Sequence, residues 1–313
     1  MASPSDLAGK RILVTGASGF TGRYVVAELK AQGCHVIGLG VHGEAGGDWA
    51  SSLMPIDEYR QADLRQTASL CEVLAECRPD MIVHLGALAF VAHGRAEDFY
   101  GVNLLGTRNL LQAIDDAGIV PQRILLASSA NIYGNSSTDL LGEDAAPAPA
   151  NDYAVSKLAM EYVASLWRPR LPIVTVRPFN YTGRGQAENF LIPKIVSHFA
   201  RRASRIELGN LDVARDFGDV RAVAESYRRL LQTPAAIGRT VNVCSGTTHS
   251  LRDIIALCED STGHSMNVVV NPAFVRPNEV KVLRGDNRLL KDIIGDWSCP
   301  PLGQTLDWML RVA

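Results

Sequence analysis

The chain has 313 residues, 47% of them hydrophobic and 20% charged, with a formal net charge of -2. That length allows one large domain or two small ones and buries a sizeable core. The balance is that of an ordinary soluble globular protein and excludes any overall attraction to nucleic acid or to an anionic membrane.

The opening residues, MASPSDLAGK, lack a basic segment followed by an apolar stretch, so no signal peptide is expected. No apolar run reaches the length of a membrane span. The cysteines at 34, 71, 77, 244, 258 and 299 show no CxxC spacing and read as free thiols of a cytoplasmic protein. The histidines form no HxxxH or carboxylate-paired cluster, so no metal is expected. The basic run Arg201-Arg202 with Arg205 reads as a solvated helix end.

The first half alternates strand and helix. KRILVTG (10–16), HVIGLGV (35–41), MIVHLGA (81–87) and RILLASS (123–129) are continuous apolar runs, expected where both faces of a sheet are covered. Helical spacing lies between them, in FTGRYVVAELKAQG, in TASLCEVLAECRPD and from Ala96 to Gly118. The pattern predicts a doubly wound parallel sheet with right-handed crossovers. Beyond Leu171 the strands IVTVRP, RIELG, TVNVCSG and NVVV are spaced by longer loops. A boundary near 175 is expected. Residues 1–175, joined by later returning segments, would bind a dinucleotide; 176–313 would form a smaller mixed α/β substrate domain.

TGASGFTG sets Gly16, Gly19 and Gly22 between the first strand and the first helix. Small residues there let the backbone approach a pyrophosphate at the helix N-terminus. An enzyme selecting NAD usually carries an acid at the end of the second strand. Here that place reads Gly40-Val41-His42, which favours NADP(H) over NAD(H), with Arg23 and His42 as candidates for the 2′-phosphate. Asp63-Leu64 could lie against the adenine, and Asp63 could equally cap a helix.

NDYAVSK places Tyr153 and Lys157 four residues apart on one helix face. An ammonium beside a phenol is expected to lower its pKa toward neutrality and make it a proton donor or acceptor. Ser129 ends the fourth strand and could bond the same substrate oxygen.

TGASGFTG, VNLLGTRNLL (102–111), SSANIYG (128–134) and YAVSK together resemble the extended short-chain dehydrogenase/reductase family, over nearly the whole chain. The resemblance implies a Rossmann-type fold and catalytic roles for Ser129, Tyr153 and Lys157. It also implies a cofactor held by Gly16, Gly19, Phe20 and Gly22, and a homodimer formed through helices at 96–118 and 153–168. Asn103 matches the family's helix asparagine and reads equally as a packing or capping amide.

RPFNYTGRGQAENFLIPKI (177–195), LGNLDVARDF (208–217) and RPNEVKVLRGD (276–286) resemble the GDP-mannose 4,6-dehydratase branch and its partner reductases. Asn180, Asn189 and Lys194 could contact a nucleotide diphosphate, Arg215 and Arg276 could clamp phosphate, and Glu279 could accept from ribose hydroxyls. The dehydratases of this branch place a carboxylate base where this chain has Asn131, which cannot take up a proton. Elimination is therefore disfavoured. The resemblance points instead to hydride transfer from NAD(P)H to the C4 ketone of a GDP-4-keto-6-deoxyhexose, with Asn131 orienting the sugar. The product would be GDP-D-rhamnose or GDP-6-deoxy-D-talose. An epimerase or a dehydratase is the alternative.

Overall fold

The computed structural model describes residues 6–42, 55–89, 95–134, 136, 138–275 and 281–311. Its main sheet takes six strands from the first part of the chain. They are β1 (Arg11–Thr15), β2 (His35–Gly40), β3 (Glu58–Gln61), β4 (Met81–His84), β5 (Arg123–Ala127) and β6 (Ile173–Pro178). A later strand, β10 (Thr240–Val243), completes the order β10-β6-β5-β4-β1-β2-β3. Every neighbouring pair is parallel. This is a Rossmann-type doubly wound sheet.

Alternation along each strand divides the apolar residues between two helical layers. Ile12 and Val14 of β1 pack with helices α1 (Phe20–Ala31) and α7 (Val220–Gln232). Leu13 faces α2 (Thr67–Cys77), α4 (Gly106–Asp116) and α5 (Asp152–Trp167). Strand β3, with sequence EYRQ, was not expected. It lies at the sheet edge beside β2, where among the described residues one side has no neighbouring strand and a polar sequence is tolerated.

The helical stretch from Ala96 is not uniform. A single turn of α3 (Ala96–Phe99) passes through a π-helical turn, Tyr100–Leu105, into α4. Such widened turns recur where a side chain must be aimed at a functional site. Here the turn carries Asn103 into the interior.

The smaller assembly is built around β9 (Ala214–Asp219), which pairs with β7 (Asn180–Thr182), β11 (Thr248–Ser250) and β13 (Val282–Leu283). Strands β8 (Arg205–Leu208) and β12 (Asn267–Val270) form a separate parallel pair. Helices α6 (Leu191–Ala200), α8 (Leu251–Thr262) and α10 (Leu302–Leu310) enclose a core of their own, centred on Ile195, Phe199, Ile254 and Leu306. Helix α9 (Arg288–Ile294) packs its Leu290 and Ile294 with α7. All six cysteines are free thiols. Among the described residues, no helix is long and apolar enough to cross a membrane.

Candidate active site

The chain leaves β1 at Gly16, whose φ of +69° suits glycine and whose amide donates to the Leu39 carbonyl at 2.9 Å. Gly19 precedes α1 with no side chain capping the helix. A Cβ at Gly22 would stand 2.1 Å from the Gly16 carbonyl oxygen, so only hydrogen fits there. The loop therefore wraps closely over an open helix N-terminus, which fits a pyrophosphate. Phe20, the first residue of α1, stacks on Tyr181 with ring centroids 6.0 Å apart.

The other cofactor candidates are scattered in their contacts. Arg23 is buried and donates from Nη2 to the Gly185 carbonyl at 2.8 Å. His42 is exposed at the end of β2, and its carbonyl accepts from the Tyr59 hydroxyl. Asp63 does not cap α2, because Gln66 occupies the N-cap position. Its carboxylate is ion-paired with Arg65 at 2.6 Å, and the Arg65 hydrogen bonds hold it below the usual carboxylate range. Leu64 is buried, and its carbonyl accepts from Asn109 at 3.0 Å.

Tyr153 and Lys157 sit on the first turns of α5, where Asn151 caps the helix by accepting from the Ala154 amide at 2.9 Å. Both side chains are buried. Lys157 donates from Nζ to the Ala127 carbonyl at the end of β5, at 2.7 Å. The expected lowering of the phenol by its ammonium neighbour is not what this environment produces. Burial pushes Tyr153 up to about 12, with the Ser129 hydroxyl acting the other way. Burial also draws Lys157 down to about 8, opposed by Glu161. Desolvation is the largest influence on both, and each group is driven toward its neutral form.

Ser129 opens a 3₁₀ turn, Ala130–Tyr133, and accepts from both the backbone amide and Nδ2 of Asn131 at 3.2 Å. Both contacts use Ser129 as acceptor, so its own proton remains for another oxygen. Behind this turn lies a buried polar layer. Arg177 pairs with Glu161 at 2.7 Å and donates to the Tyr133 hydroxyl at 2.8 Å, which itself donates to Asn242 at 2.7 Å. Asn103 is a structural amide. Its Oδ1 accepts from the Leu88 amide at 2.8 Å, while Nδ2 donates to the Leu88 carbonyl and to Ser156, each at 3.1 Å.

The expected substrate residues are dispersed over the smaller assembly. Asn180 begins β7, and its buried Nδ2 has no hydrogen-bond partner among the described residues. A buried amide donor left unpaired is a standing invitation to a ligand oxygen. Asn189 is exposed in the turn before α6. Lys194 donates to the Glu207 carbonyl at 2.8 Å and lies over the Phe274 ring. Arg215 on β9 donates to the Ala214 carbonyl at 2.9 Å. Arg276 and Glu279 lie outside the described residues.

Sequence reasoning missed Tyr181, a half-buried residue of β7 that faces the first turn of α1 and bonds Thr21 at 2.7 Å. Its adjacency to Asn180 in RPFNYTG was the one available signal. His84 was missed as well. It is fully buried at the end of β4 between Thr15 and Thr107, and burial holds it down at about 3, with Lys157 adding to the effect.

Known proteins resemble this chain over nearly all its length. Residues 13–298 match the profile of the family described as GDP-mannose 4,6 dehydratase. A GDP-6-deoxy-D-talose 4-dehydrogenase of Aggregatibacter actinomycetemcomitans is 37% identical over 287 residues, covering 91% of this chain and 92% of its own. A GDP-6-deoxy-D-mannose reductase of Pseudomonas aeruginosa is 35% identical over 319 residues, covering 97% and 98% respectively. The solved structure of RMD from Pseudomonas aeruginosa in complex with NADPH superposes with a TM-score of 0.82 at 33% identity, covering 96% of this chain and 98% of that one. The cradle at Gly16–Gly22, the parallel sheet beneath it and the breadth of these matches agree, and the chain belongs to the GDP-mannose 4,6-dehydratase family.

Proposed function

We propose that the protein is an oxidoreductase that reduces the C4 ketone of a GDP-4-keto-6-deoxyhexose, giving GDP-D-rhamnose or GDP-6-deoxy-D-talose. One observation carries the choice of reduction over dehydration: Asn131 stands beside Ser129 on the active-site turn, where elimination needs a carboxylate. The relatives at 37% and 35% identity are named for a dehydrogenase and a reductase of GDP-6-deoxyhexoses, which supports the same reading.

Gly16, Gly19, Phe20 and Gly22 would hold the dinucleotide, and NAD(P)H would supply the hydride that C4 receives. NADP(H) is the favoured form. From Gly38 to His42 no residue carries a carboxylate to meet a ribose 2′-hydroxyl or repel a 2′-phosphate. Tyr59 occupies the strand end instead, its hydroxyl 2.7 Å from where a Cβ on Gly40 would stand. The complex of RMD with NADPH is in keeping with this preference.

Tyr153 is the proton donor. A phenol held up at about 12 stays protonated near neutral pH and can transfer its proton to the oxygen at C4. The ketone thus gains one hydride on carbon and one proton on oxygen, becoming a secondary alcohol. The resulting phenolate is stabilised by the protonated form of Lys157, one helical turn away. Ser129, with its proton uncommitted to Asn131, bonds the same oxygen. On the substrate side, Nδ2 of Asn180, unpaired among the described residues, would donate to the nucleotide diphosphate with Asn189 and Lys194, Arg215 and Arg276 would clamp phosphate, and Glu279 would accept from the ribose hydroxyls. Residues 1–175, joined by the returning segments α7, β10 and α9, thus serve the dinucleotide, and the rest of 176–313 the nucleotide sugar.

Two copies associate through α4 and α5. Leu105, which ends the π-helical turn before α4, is 52% exposed, and Tyr162 and Leu166 on α5 are 63% and 75% exposed, more apolar surface than a solitary face is expected to leave in water.

Incubation of the purified protein with GDP-4-keto-6-deoxymannose and each reduced cofactor tests the assignment. Stoichiometric oxidation of NADPH and an NMR spectrum of the C4 alcohol are expected, both lost in Tyr153→Phe. Conversion of GDP-mannose to a keto product, with no consumption of added cofactor, would overturn it in favour of a dehydratase.

A further inference from the structure

Three consecutive contacts join the first turns of α1 to the segment that follows Asn180. The Thr21 hydroxyl meets the Tyr181 hydroxyl at 2.7 Å, Arg23 donates to the Gly185 carbonyl at 2.8 Å, and the Tyr24 hydroxyl donates to the Arg184 carbonyl at 2.8 Å. Phe20 adds a near-parallel stack on Tyr181, with an interplanar angle of 13°. Arg184 in turn lies over the Trp308 ring of α10, and Tyr24 meets that ring edge-on. The helix that receives the dinucleotide is therefore fastened to the strand that begins with the unpaired amide of Asn180.

Asn180 and Tyr181 are successive strand residues, so their side chains leave β7 on opposite faces. One face meets the substrate side and the other meets the glycine loop. Tyr181 also lies close enough to Tyr153 to act electrostatically on its phenol. It thus touches the cofactor helix, neighbours the catalytic phenol and shares a backbone with the substrate amide. A ligand that engages Asn180 shifts or stiffens β7, and the Tyr181–Thr21 bond delivers that change to the first turn of α1. A helix turn held in its binding geometry loses less freedom when the dinucleotide arrives.

We propose that Tyr181 is a positioning residue that, through Thr21, couples occupancy of the nucleotide-sugar site to affinity for the dinucleotide. The proposal rests on the reading of these two sites as NAD(P)H and GDP-sugar sites. It assigns Tyr181 no contact with the reacting atoms.

NADPH affinity, measured by its fluorescence with and without saturating GDP, tests the coupling. In the wild-type protein GDP is expected to tighten NADPH binding by about five-fold or more, and NADPH to tighten GDP equally. Tyr181→Phe and Thr21→Val should each abolish this mutual effect, the double variant should lose nothing further, and Thr21→Ser should retain it. A residue that served only stability would lower the melting temperature and leave the ratio of affinities intact. If Tyr181→Phe does not fold, Thr21→Val carries the same test from the other end of the bond. Coupling that persists in the variants, or that is absent from the wild type, overturns the proposal alone. Failure of the wild type to bind NADPH and NADH overturns the functional reading along with it.

Discussion

The hydroxyl of Thr15 donates to Nδ1 of His84 across 2.8 Å, and its direction is set by its other neighbours. The Leu85 and Gly86 amides already donate to Thr15 Oγ1, at 3.1 and 2.9 Å, so its proton must go to the imidazole. On the far side, Thr107 spends its proton on the Asn103 carbonyl at 2.7 Å and must accept from His84 Nε2 at 2.9 Å. His84 is thereby fixed as the neutral Nε2–H tautomer. The chain continues from Asn103 Nδ2 to Ser156 at 3.1 Å, and from the Ser156 hydroxyl to the Tyr153 carbonyl at 2.7 Å. An ordered relay of polar groups joins the strand ends beneath the glycine loop to the first turn of α5.

That relay makes stability sensitive to acid. His84 is held at about 3 against an ordinary value of 6.5, chiefly by burial. Between those two values the unfolded chain binds a proton that the folded chain refuses. The contribution of His84 is therefore complete above 6.5 and declines as pH falls toward 3, by up to about 1.4 kcal/mol per pH unit. Urea unfolding at about pH 7 and about pH 5 should show a shallower loss for His84→Gln than for wild type. Equal losses would mean that the ring is not held neutral.

Substitution on the active-site turn should separate two roles. Ser129→Ala removes the hydroxyl proposed to bond the substrate oxygen and should lower kcat by about ten- to a hundred-fold, on the scale of one lost hydrogen bond of about 1.5–3 kcal/mol to a charged group. Asn131→Asp replaces an amide donor to Ser129 with an acceptor. The Ser129 proton would then turn to the new carboxylate, so kcat should fall although Ser129 remains. Steady-state kinetics with the keto sugar reads both. An Asn131→Asp enzyme with undiminished kcat would remove Ser129's proton from the mechanism.

Much of this site was legible because it follows from local chemistry. Buried parallel strands need continuous apolar runs, the glycine loop needs its spacing, and Tyr153 and Lys157 need one helical turn between them. Strand β3 was illegible because EYRQ owes its conformation to pairing with β2, not to its own hydrophobicity. The raised phenol was missed for a related reason: residue spacing shows which charge is near and says nothing of how dry the site is. The Thr21–Tyr181 bond spans 160 residues of sequence, and neither partner carries a motif that points to the other. Of the two roles left open for Asp63, capping is the one the structure withholds, because the competing Arg65 guanidinium stands only two residues away.

The exposed stripe on α5 gives a test of assembly. Val155, Tyr162 and Leu166 recur at helical intervals on one side of the helix, with Leu166 the most exposed. Leu166→Glu would place a charge on the proposed dimer contact, at the last turn of α5, and leave the monomer core untouched. Light scattering at micromolar concentration should find wild type at twice the chain mass of 33.8 kDa and the variant at that mass. A wild-type monomer would deny the interface, as would a Leu166→Glu dimer of unchanged dissociation constant.

The polar layer behind the Ala130–Tyr133 turn should be fragile when halved. Arg177 and Glu161 are each only 10% exposed and meet through Nη2 and Oε2 at 2.7 Å. Glu161→Gln keeps the shape and removes the charge, leaving a buried guanidinium whose remaining hydrogen bonds run to the neutral Tyr133 hydroxyl and Glu143 carbonyl. Breaking one side of such a pair typically costs about 3–5 kcal/mol. Replacing both, as Glu161→Met with Arg177→Met, should cost less than Glu161→Gln alone, because no uncompensated charge remains. Chemical denaturation of the three proteins measures the difference. A Glu161→Gln protein as stable as wild type would mean that water, not Glu161, balances Arg177, and that the turn bearing Ser129 and Asn131 does not depend on this pair for its support.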